Sequence, residues 1–154
     1  MNKSEYLIKK ISAIETYPVR HPILRAGRPI GDCAFELDNK DSTFHLGLFY
    51  KNELIGVASF MENNNSNFNE KTQYQLRGMA ILKTHQKKGL GKLLLEAGEN
   101  EIAIKCSRLW FNAREIAITF YKNCGYNIIG EPFYIVGIGK HYIMTKILTR
   151  KKRL

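Results

Sequence analysis

The residues with the clearest chemical potential lie between Gln86 and Lys92, in the order Gln-Lys-Lys-Gly-Leu-Gly-Lys. They follow an apolar segment that ends near Leu82 and precede an amphipathic segment. A strand that passes through a glycine turn into a helix leaves backbone N–H groups without intrahelical partners, and the helix dipole adds positive potential there. Lys87 and Lys88 raise that potential further. The pattern therefore predicts a binding site for phosphate or pyrophosphate.

Two common nucleotide-binding fingerprints do not fit this segment. The dinucleotide pattern G-x-G-x-x-G requires a third glycine where Leu94 stands. The Walker A loop requires a glycine where Gln86 stands and a serine or threonine where Leu93 stands. The segment does match Q/R-x-x-G-x-G/A, with Gly89 and Gly91 as its glycines. A hexapeptide of this kind recurs by chance, so an ordinary loop and helix start is the alternative at this point.

The composition is that of an ordinary globular protein, since 44% of the 154 residues are hydrophobic and 25% are charged. No apolar run approaches the roughly 18 residues needed to span a membrane, and the N-terminus lacks the apolar core of a signal peptide. Cys33, Cys106 and Cys124 have no C-x-x-C spacing, which favours reduced thiols over a disulfide frame or a metal site. We therefore expect a cytoplasmic protein without a bound metal and without a membrane partner, with one domain at residues 1–148.

The chain is basic, with a formal net charge of +10. Four of its positive side chains lie in the C-terminal tail, residues 149–154. Such a tail could contact nucleic acid, but no nucleic-acid-binding motif accompanies it, and a solvated terminus is the simpler interpretation. We do not expect nucleic acid to be a partner. The remaining positive charge suits a polyanionic ligand.

Hydrophobic periodicity predicts the order β-α-α-β-β-β-α-β-α-β-β, an α/β arrangement around a mixed sheet. Gly78 interrupts the strand before the glycine motif, which indicates a bulge or a close approach of another chain segment. Pro18 and Pro22 are expected to break the first helical region, and residues 132–139 are expected to form a loop. The strands predicted before the motif include residues 43–50, 54–61 and 74–82.

Two helices are predicted after the glycine motif. In the first, leucines from Leu90 onward and Ala97 repeat at helical spacing, and Ile104 would continue this apolar stripe. The second helix would begin at Asn112, because Asn112 and Glu115 have the spacing of a capping box.

Residues 117–126 read Ala-Ile-Thr-Phe-Tyr-Lys-Asn-Cys-Gly-Tyr, which is close to the signature A-x-x-F-Y-x-x-x-G-F. With the glycine motif and the element order over residues 43–147, the chain resembles the GNAT superfamily of acetyl-CoA-dependent N-acyltransferases. Two motifs at the expected separation are stronger evidence than either motif alone. The resemblance implies a mixed, mostly antiparallel β-sheet of about seven strands flanked by about four helices, with a splayed parallel strand pair at the cofactor slot.

The resemblance also assigns the contacts to acetyl-CoA by position. Backbone N–H groups of residues 86–91 would hold the pyrophosphate, because glycines at 89 and 91 leave room for it. The edge of the preceding strand would pair with the pantetheine arm as an added strand does. Asn112 would contact the cofactor or would only cap a helix. The cofactor-binding residues predicted in this way are Met79, Ala80, Ile81, Gln86, Lys87, Lys88, Gly89, Leu90, Gly91, Lys92 and Asn112.

Tyr121 is the predicted catalytic residue, because the tyrosine at this place in the family lies near the cofactor sulfur and can protonate the leaving thiolate. Core packing is the alternative for a tyrosine on an apolar stripe. A thiol pKa near 8.5 and a tyrosine pKa near 10 make the transfer slightly uphill in water, so positioning must help. The implied reaction is direct attack on the thioester by a primary amine of a small molecule or peptide. A backbone N–H near Ala80 or Ile81 would stabilise the oxyanion.

The general base is not identified by the sequence. Many relatives place a glutamate on the central strand, whereas residues 73–78 contain no carboxylate. Glu62 ends the preceding strand and Glu70 lies in the loop. His45 and His141 lie on strands that could face the cleft, and none of these four residues is assigned. Arg114 occupies a position where relatives often carry a cofactor-contacting asparagine. The missing carboxylate motivates an alternative, a domain that binds acyl-CoA as a sensor without turnover. Relatives are often dimers, which leaves a homodimer open.

Overall fold

The computed structural model describes residues 5–149, and a seven-stranded sheet forms their centre. Its spatial order is β1-β2-β3-β4-β5-β7-β6, and the β4–β5 pair is parallel while the other neighbours are antiparallel. This arrangement confirms the predicted fold class. The strands are β1 (Tyr6–Ile11), β2 (Phe44–Tyr50), β3 (Glu53–Glu62), β4 (Tyr74–Ile81), β5 (Arg108–Arg114), β6 (Asn127–Ile135) and β7 (Gly139–Ile147), and the α-helices are α1 (Tyr17–Leu24), α2 (Leu90–Ile102) and α3 (Ile118–Asn123). Residues 150–154 of the predicted tail lie outside the described residues.

Two apolar clusters cover the two faces of the sheet. The larger cluster contains Leu94 and Leu95 of α2, with Ala58 of β3. The smaller cluster contains Val19 of α1, with Val57 of β3. Because successive side chains of a strand point to opposite faces, α1 and α2 lie on opposite sides of the sheet.

The parallel strands β4 and β5 are paired over a short distance. Their register contains two residue pairs, Tyr74 with Leu109 and Gln75 with Trp110. Beyond Gln75 the strands separate, so β4 leaves an unpaired edge facing β5. The splayed pair that the sequence predicted is therefore confirmed.

Gly78 lies at an irregularity of β4, as its place in an apolar strand predicted. Its φ is +63°, and the register with β3 shifts between Val57 and Ser59. A Cβ at this position would lie 2.7 Å from the ring of Phe35. The bulge and the close packing of Phe35 together require glycine here.

Two predictions about helices were wrong. Pro22 lies inside α1, and Pro18 lies in its first turn, where a missing N–H costs nothing. In so short a helix, Pro22 removes one hydrogen bond without ending the element. The helix α2 ends at Ile102, and Ile104 is 64% exposed, so it does not continue the apolar stripe.

The predicted loop at residues 132–139 and the predicted capping box were also wrong. Strand β6 continues to Ile135, and β7 begins at Gly139. The register shifts between Ile129 and Phe133, so Pro132 sits at an irregularity of an edge strand where no ladder N–H is required. Asn112 lies within β5, and the turn of residues 115–117 before α3 has no side-chain cap.

A buried polar network anchors α1 to the sheet. The guanidinium of Arg20 is fully buried and donates two hydrogen bonds to Asp38, at 2.7 and 3.0 Å. It also donates to the Ser59 hydroxyl at 2.8 Å, and Ser59 lies 2.6 Å from Nδ1 of His45. Burying an arginine is costly unless its charge is paired in this way.

Candidate active site

A cavity of about 310 Å³ occupies the gap where β4 and β5 separate. Residues Leu76 to Met79 of β4 form one wall, and Phe111 to Arg114 of β5 form the opposite wall. The end of α1 and the β6–β7 turn contribute further lining, including Leu24 and Ile138. Strand separation thus creates a slot that passes between the two faces of the sheet.

The predicted phosphate loop leads into α2 beside this slot. Lys87 and Gly89 have positive φ values of 64° and 76°, and Gly89 is the N-terminal boundary residue of α2. The first helical hydrogen bond runs from the Leu93 N–H to the Gly89 carbonyl at 3.4 Å. Among the described residues, the amides of residues 87–92 make no backbone hydrogen bond outside regular elements. These amides form a cradle suited to an anion.

The cradle is open to a ligand at Gly89. A Cβ built on Gly89 would meet no atom within 4 Å, and its backbone conformation is one that glycine adopts without strain. Lys87, Lys88 and Lys92 are all exposed around it. The residues present therefore fit a pyrophosphate.

Gln86 differs from the other residues of the loop. Its backbone N–H donates to the Lys83 carbonyl at 3.3 Å, so this amide already has a partner. Its side-chain amide donates to the carbonyl of Ile81 at 2.8 Å. Gln86 therefore fastens the loop to the end of β4, a role that the hexapeptide pattern did not predict.

The start of α2, the edge of β4 and helix α3 meet at one point. A Cβ on Gly91 would lie 3.3 Å from the Phe120 ring and 3.8 Å from Cε of Met79. The ring of Tyr121 packs 4.2 Å from that of Phe111, measured between ring centroids. Met79 and Tyr121 both line the cavity, whereas Ala80 is buried beside them in the sheet.

Tyr121 is the tyrosine that lines the cavity. Burial raises its pKa, so the hydroxyl keeps its proton at neutral pH. Among the described residues, no hydrogen-bond partner is found for this hydroxyl. Cys124 is a free thiol whose pKa burial also raises, which disfavours a thiolate nucleophile.

The two histidines that could have faced the cleft are separated by the fold. His45 belongs to the buried network, with Nε2 lying 2.9 Å from the Asp38 carbonyl. His141 lines the cavity, and its Nδ1 lies 2.8 Å from the Gly139 carbonyl. Because a carbonyl oxygen accepts, Nδ1 carries the proton of a neutral ring and Nε2 is left as an acceptor.

Polar side chains also line the slot from the face of the sheet that carries α1. Asn112 lies on the β5 wall between Phe111 and Ala113, which belong to the larger apolar cluster. Strand alternation therefore puts Asn112 on the opposite face. The cavity lining on this side includes Arg25, Arg77 and Arg114. Arg77 was not identified from the sequence, because a single arginine in a strand carries no motif.

A sequence model of the Acetyltransferase (GNAT) family matches residues 10–126, which is more than half of the chain. A similar protein is the uncharacterized N-acetyltransferase YitI of Bacillus subtilis (strain 168). The two are 38% identical over 142 residues, which cover 92% of this chain and 95% of that protein. The chain belongs to the GNAT acetyltransferase family. It is therefore an acyltransferase, and acetyl-CoA is the acyl donor that this family uses.

Solved structures of other acetyltransferases have the same fold as this GNAT protein. An aminoglycoside 6′-N-acetyltransferase complexed with coenzyme A has a TM-score of 0.74 at 13% identity, and the match covers 96% of this chain and 99% of that one. The ribosomal-protein-S18-alanine N-acetyltransferase from Escherichia coli has a TM-score of 0.71 at 17% identity, covering 96% and 97%. At these identities the likeness concerns the fold alone.

Two further findings concern the part of this GNAT protein between residues 5 and 149. None of its helices has the length and apolar character that a membrane crossing requires. No group of three or more His, Cys, Asp or Glu side chains in this range could hold a metal ion.

Proposed function

We propose that this GNAT protein transfers the acetyl group of acetyl-CoA to a primary amine of a small molecule or peptide. The observation that carries the proposal is the splayed β4–β5 pair, whose gap is lined by Tyr121 and flanked by the amide cradle at the start of α2. When bound, acetyl-CoA supplies an acetyl thioester. The fit of the cradle to a pyrophosphate supports acetyl-CoA as the ligand, with its pyrophosphate at the start of α2.

In this proposal, the backbone amides of residues 87–91 bind the pyrophosphate, and the side chains of the flanking lysines add attraction. The unpaired edge of β4 near Met79, Ala80 and Ile81 offers backbone groups to the amides of the pantetheine arm. The Ile81 carbonyl already accepts from Gln86, so the groups nearer the bulge are the better partners. Asn112 lines the slot, and its contact with the cofactor stays a prediction.

Tyr121 acts as the general acid, holding a proton at its Oη for the departing thiolate. Burial raises its pKa, and this makes the phenol a weaker acid in isolation. The same burial keeps the group protonated and excludes water, so a thiolate formed beside it has few other proton donors. The ring contact with Phe111 holds the side chain of Tyr121, which lines the cavity, and this supports the proposed role.

The amine must lose a proton during the reaction. Among the described residues that line the cavity, none is an aspartate or glutamate. His141 is the group there whose geometry suits the task, since Nδ1 is committed to the Gly139 carbonyl and Nε2 is an acceptor. We assign it the role of accepting the proton, directly or through water.

Acetyl-CoA binding and amine acetylation test this function separately. The purified protein should bind acetyl-CoA saturably in a calorimetric titration. Incubation with acetyl-CoA and a panel of primary amines should give acetylated products by mass spectrometry. Gly89→Leu would fill the open cradle and should raise the Kd of acetyl-CoA at least about tenfold, the effect of losing a charge-assisted hydrogen bond.

Gly130→Leu is the matched control. Gly130 also has a positive φ, of 68°, and open space around its Cβ position, but it lies in β6 and does not line the cavity. Both variants should lose similar stability, while Gly130→Leu keeps the wild-type Kd. Equal weakening in both variants would refute the cradle, and a wild-type protein that binds no acetyl-CoA would refute the function.

A further inference from the structure

The α1 side of the cavity, which we take to be the end that binds the acceptor amine, is strongly positive. Arg25, Arg77 and Arg114 line it, and no carboxylate does so among the described residues. The phosphate cradle lies on the side of α2, whereas Arg25 at the end of α1 and Arg77 lie on the opposite face. Positive charge at this end is therefore separate from the charge that would hold the cofactor.

Asp38 is a buried carboxylate of this region, and it is already paired. Asp38 forms a two-pronged ion pair with Arg20 and also accepts from the Phe35 N–H at 2.9 Å. Arg28, another arginine of this region, pairs with Asp32 at 3.0 Å outside the cavity. Asp38 and Asp32 are thus paired with arginines that do not line the slot, and the exposed carboxylate of Glu36 adds attraction to Arg77 from outside the cavity.

Within residues 5–149, neither Arg77 nor Arg25 forms an ion pair with a carboxylate. Arg25 donates to the carbonyl oxygens of Leu24 and Asp32, at 2.9 and 3.3 Å, which carry no formal charge. Among the described residues, Arg77 has no hydrogen bond or ion pair. Burial, together with the guanidinium groups of Arg25 and Arg20, lowers the pKa of Arg77. A bound anion would offset these two effects and stabilise the charged guanidinium.

Phe35 holds these guanidinium groups in place. The central carbon of Arg77 lies 4.2 Å from the centroid of the Phe35 ring, and that of Arg25 lies 5.6 Å from it. The central carbon of buried Arg20 also lies 4.0 Å from this centroid, which helps to hold the ring. A planar guanidinium held over an aromatic ring is preorganised to bind a carboxylate or phosphate with two hydrogen bonds.

We propose that the acceptor is an amine that also carries an anionic group, a carboxylate or phosphate, and that Arg77 and Arg25 bind this group. The inference rests on the proposed function, because it names the class of amine that the same cavity acetylates. The anion binds at the α1 side of the slot and thereby directs the amine toward the Tyr121 side. No bond changes at the anionic group, which serves for recognition alone.

The test compares matched acceptors that differ only in charge. Suitable pairs are β-alanine with β-alaninamide, γ-aminobutyrate with its amide, and phosphoethanolamine with ethanolamine. The anionic member of at least one pair should have a kcat/KM roughly 10- to 100-fold higher than its neutral partner, the ratio expected for a charge-assisted hydrogen bond. Arg77→Gln should remove this preference by lowering kcat/KM for the anionic member only.

Arg28→Gln serves as the control variant, because Arg28 is exposed and ion-paired away from the cavity. It should leave the preference intact. Both variants should keep the wild-type Kd for acetyl-CoA. A weaker Kd in Arg77→Gln would mean that the arginine binds the cofactor, and this result would overturn the inference.

Acceptor binding by calorimetry in the presence of CoA separates this inference from the proposed function. If no amine is acetylated, the proposed function fails. The anion site is nevertheless supported if an anionic amine binds wild type and loses at least about tenfold in affinity in Arg77→Gln. Acetylation of neutral amines with equal or higher kcat/KM, or equal binding of both members of every pair, overturns the inference.

Discussion

Tyr121 illustrates how a residue's position changes its chemistry. The phenol packs against Phe111 like a core residue, yet it lines the cavity and burial raises its pKa. The two interpretations of this tyrosine, core packing and catalysis, are therefore compatible. Its ring contributes packing, and its hydroxyl is left for the proposed proton transfer.

Tyr121→Phe should separate these two contributions. Removing the hydroxyl should lower kcat by about 10²-fold or more, the lower end of the range for general acid catalysis. The Kd of acetyl-CoA and the thermal stability should hardly change, because the ring contacts are kept. Steady-state kinetics and calorimetry would measure the effects, and an unchanged kcat would contradict the role as general acid.

Tyr126→Phe is the matched control for Tyr121→Phe. The Tyr126 hydroxyl donates to Oε2 of Glu99 at 2.6 Å, and this residue does not line the cavity. The variant should lose about 1–3 kcal/mol of unfolding free energy because a hydrogen bond to a charged acceptor is lost. Its kcat at a temperature where it is folded should equal that of wild type.

Among the elements, helix α2 positions the phosphate cradle relative to the sheet. Its first turn forms the phosphate cradle, and Leu94 and Leu95 anchor it on the sheet. Gly98 lies in its middle, where glycine weakens an isolated helix by about 1 kcal/mol relative to alanine. The packing explains this residue, because a Cβ there would lie 2.0 Å from Cζ of Phe60.

Gly98→Ala should therefore destabilise the protein although it improves helix propensity. We expect a loss of about 1–3 kcal/mol in unfolding free energy from overpacking against Phe60. Urea denaturation would measure it. Adding Phe60→Leu should recover part of the loss, since the smaller side chain makes room. The steric explanation would be contradicted if the double variant lost as much unfolding free energy as the two single variants lose together.

For the whole molecule, the buried network of Arg20, Asp38, Ser59 and His45 couples stability to pH. Burial would raise the pKa of Asp38, but hydrogen bonds from Arg20 and Phe35 outweigh this and lower it. Burial lowers the pKa of His45 below its ordinary value. The network is therefore built around a neutral imidazole and a charged carboxylate.

Protonation of His45 should destabilise the fold as the pH falls below about 6.5, the ordinary histidine pKa. In that window the unfolded chain binds a proton that the native His45 resists, so unfolding free energy rises with pH. His45→Gln should have a flatter dependence between pH 5.5 and 7.5 in urea denaturation. The control His85→Gln, outside the network, should keep the wild-type slope. Identical slopes in all three proteins would contradict the assignment to His45.

Local sequence patterns predicted much of this protein. Strand and helix periodicities predicted the order of elements, because those periodicities follow from backbone geometry within a few residues. Gly89 and Gly91 before an amphipathic helix predicted the cradle, since a helix start leaves its amides free whatever the rest of the chain does. Tyr121 was identified from its motif, and the structure puts it at the cavity wall.

The tertiary structure decided the features that depend on residues distant in the chain. The proposed role of Arg77 depends on its neighbours Arg25 and Phe35, and no local sequence pattern predicts that these residues meet. Gly98 is explained by Phe60, which lies on a strand that precedes it by more than thirty residues. The capping box at Asn112 failed because strand pairing with β7 extended β5 through Arg114. Periodicity specifies which face of an element is apolar, whereas packing between elements determines which side chains meet in the cavity.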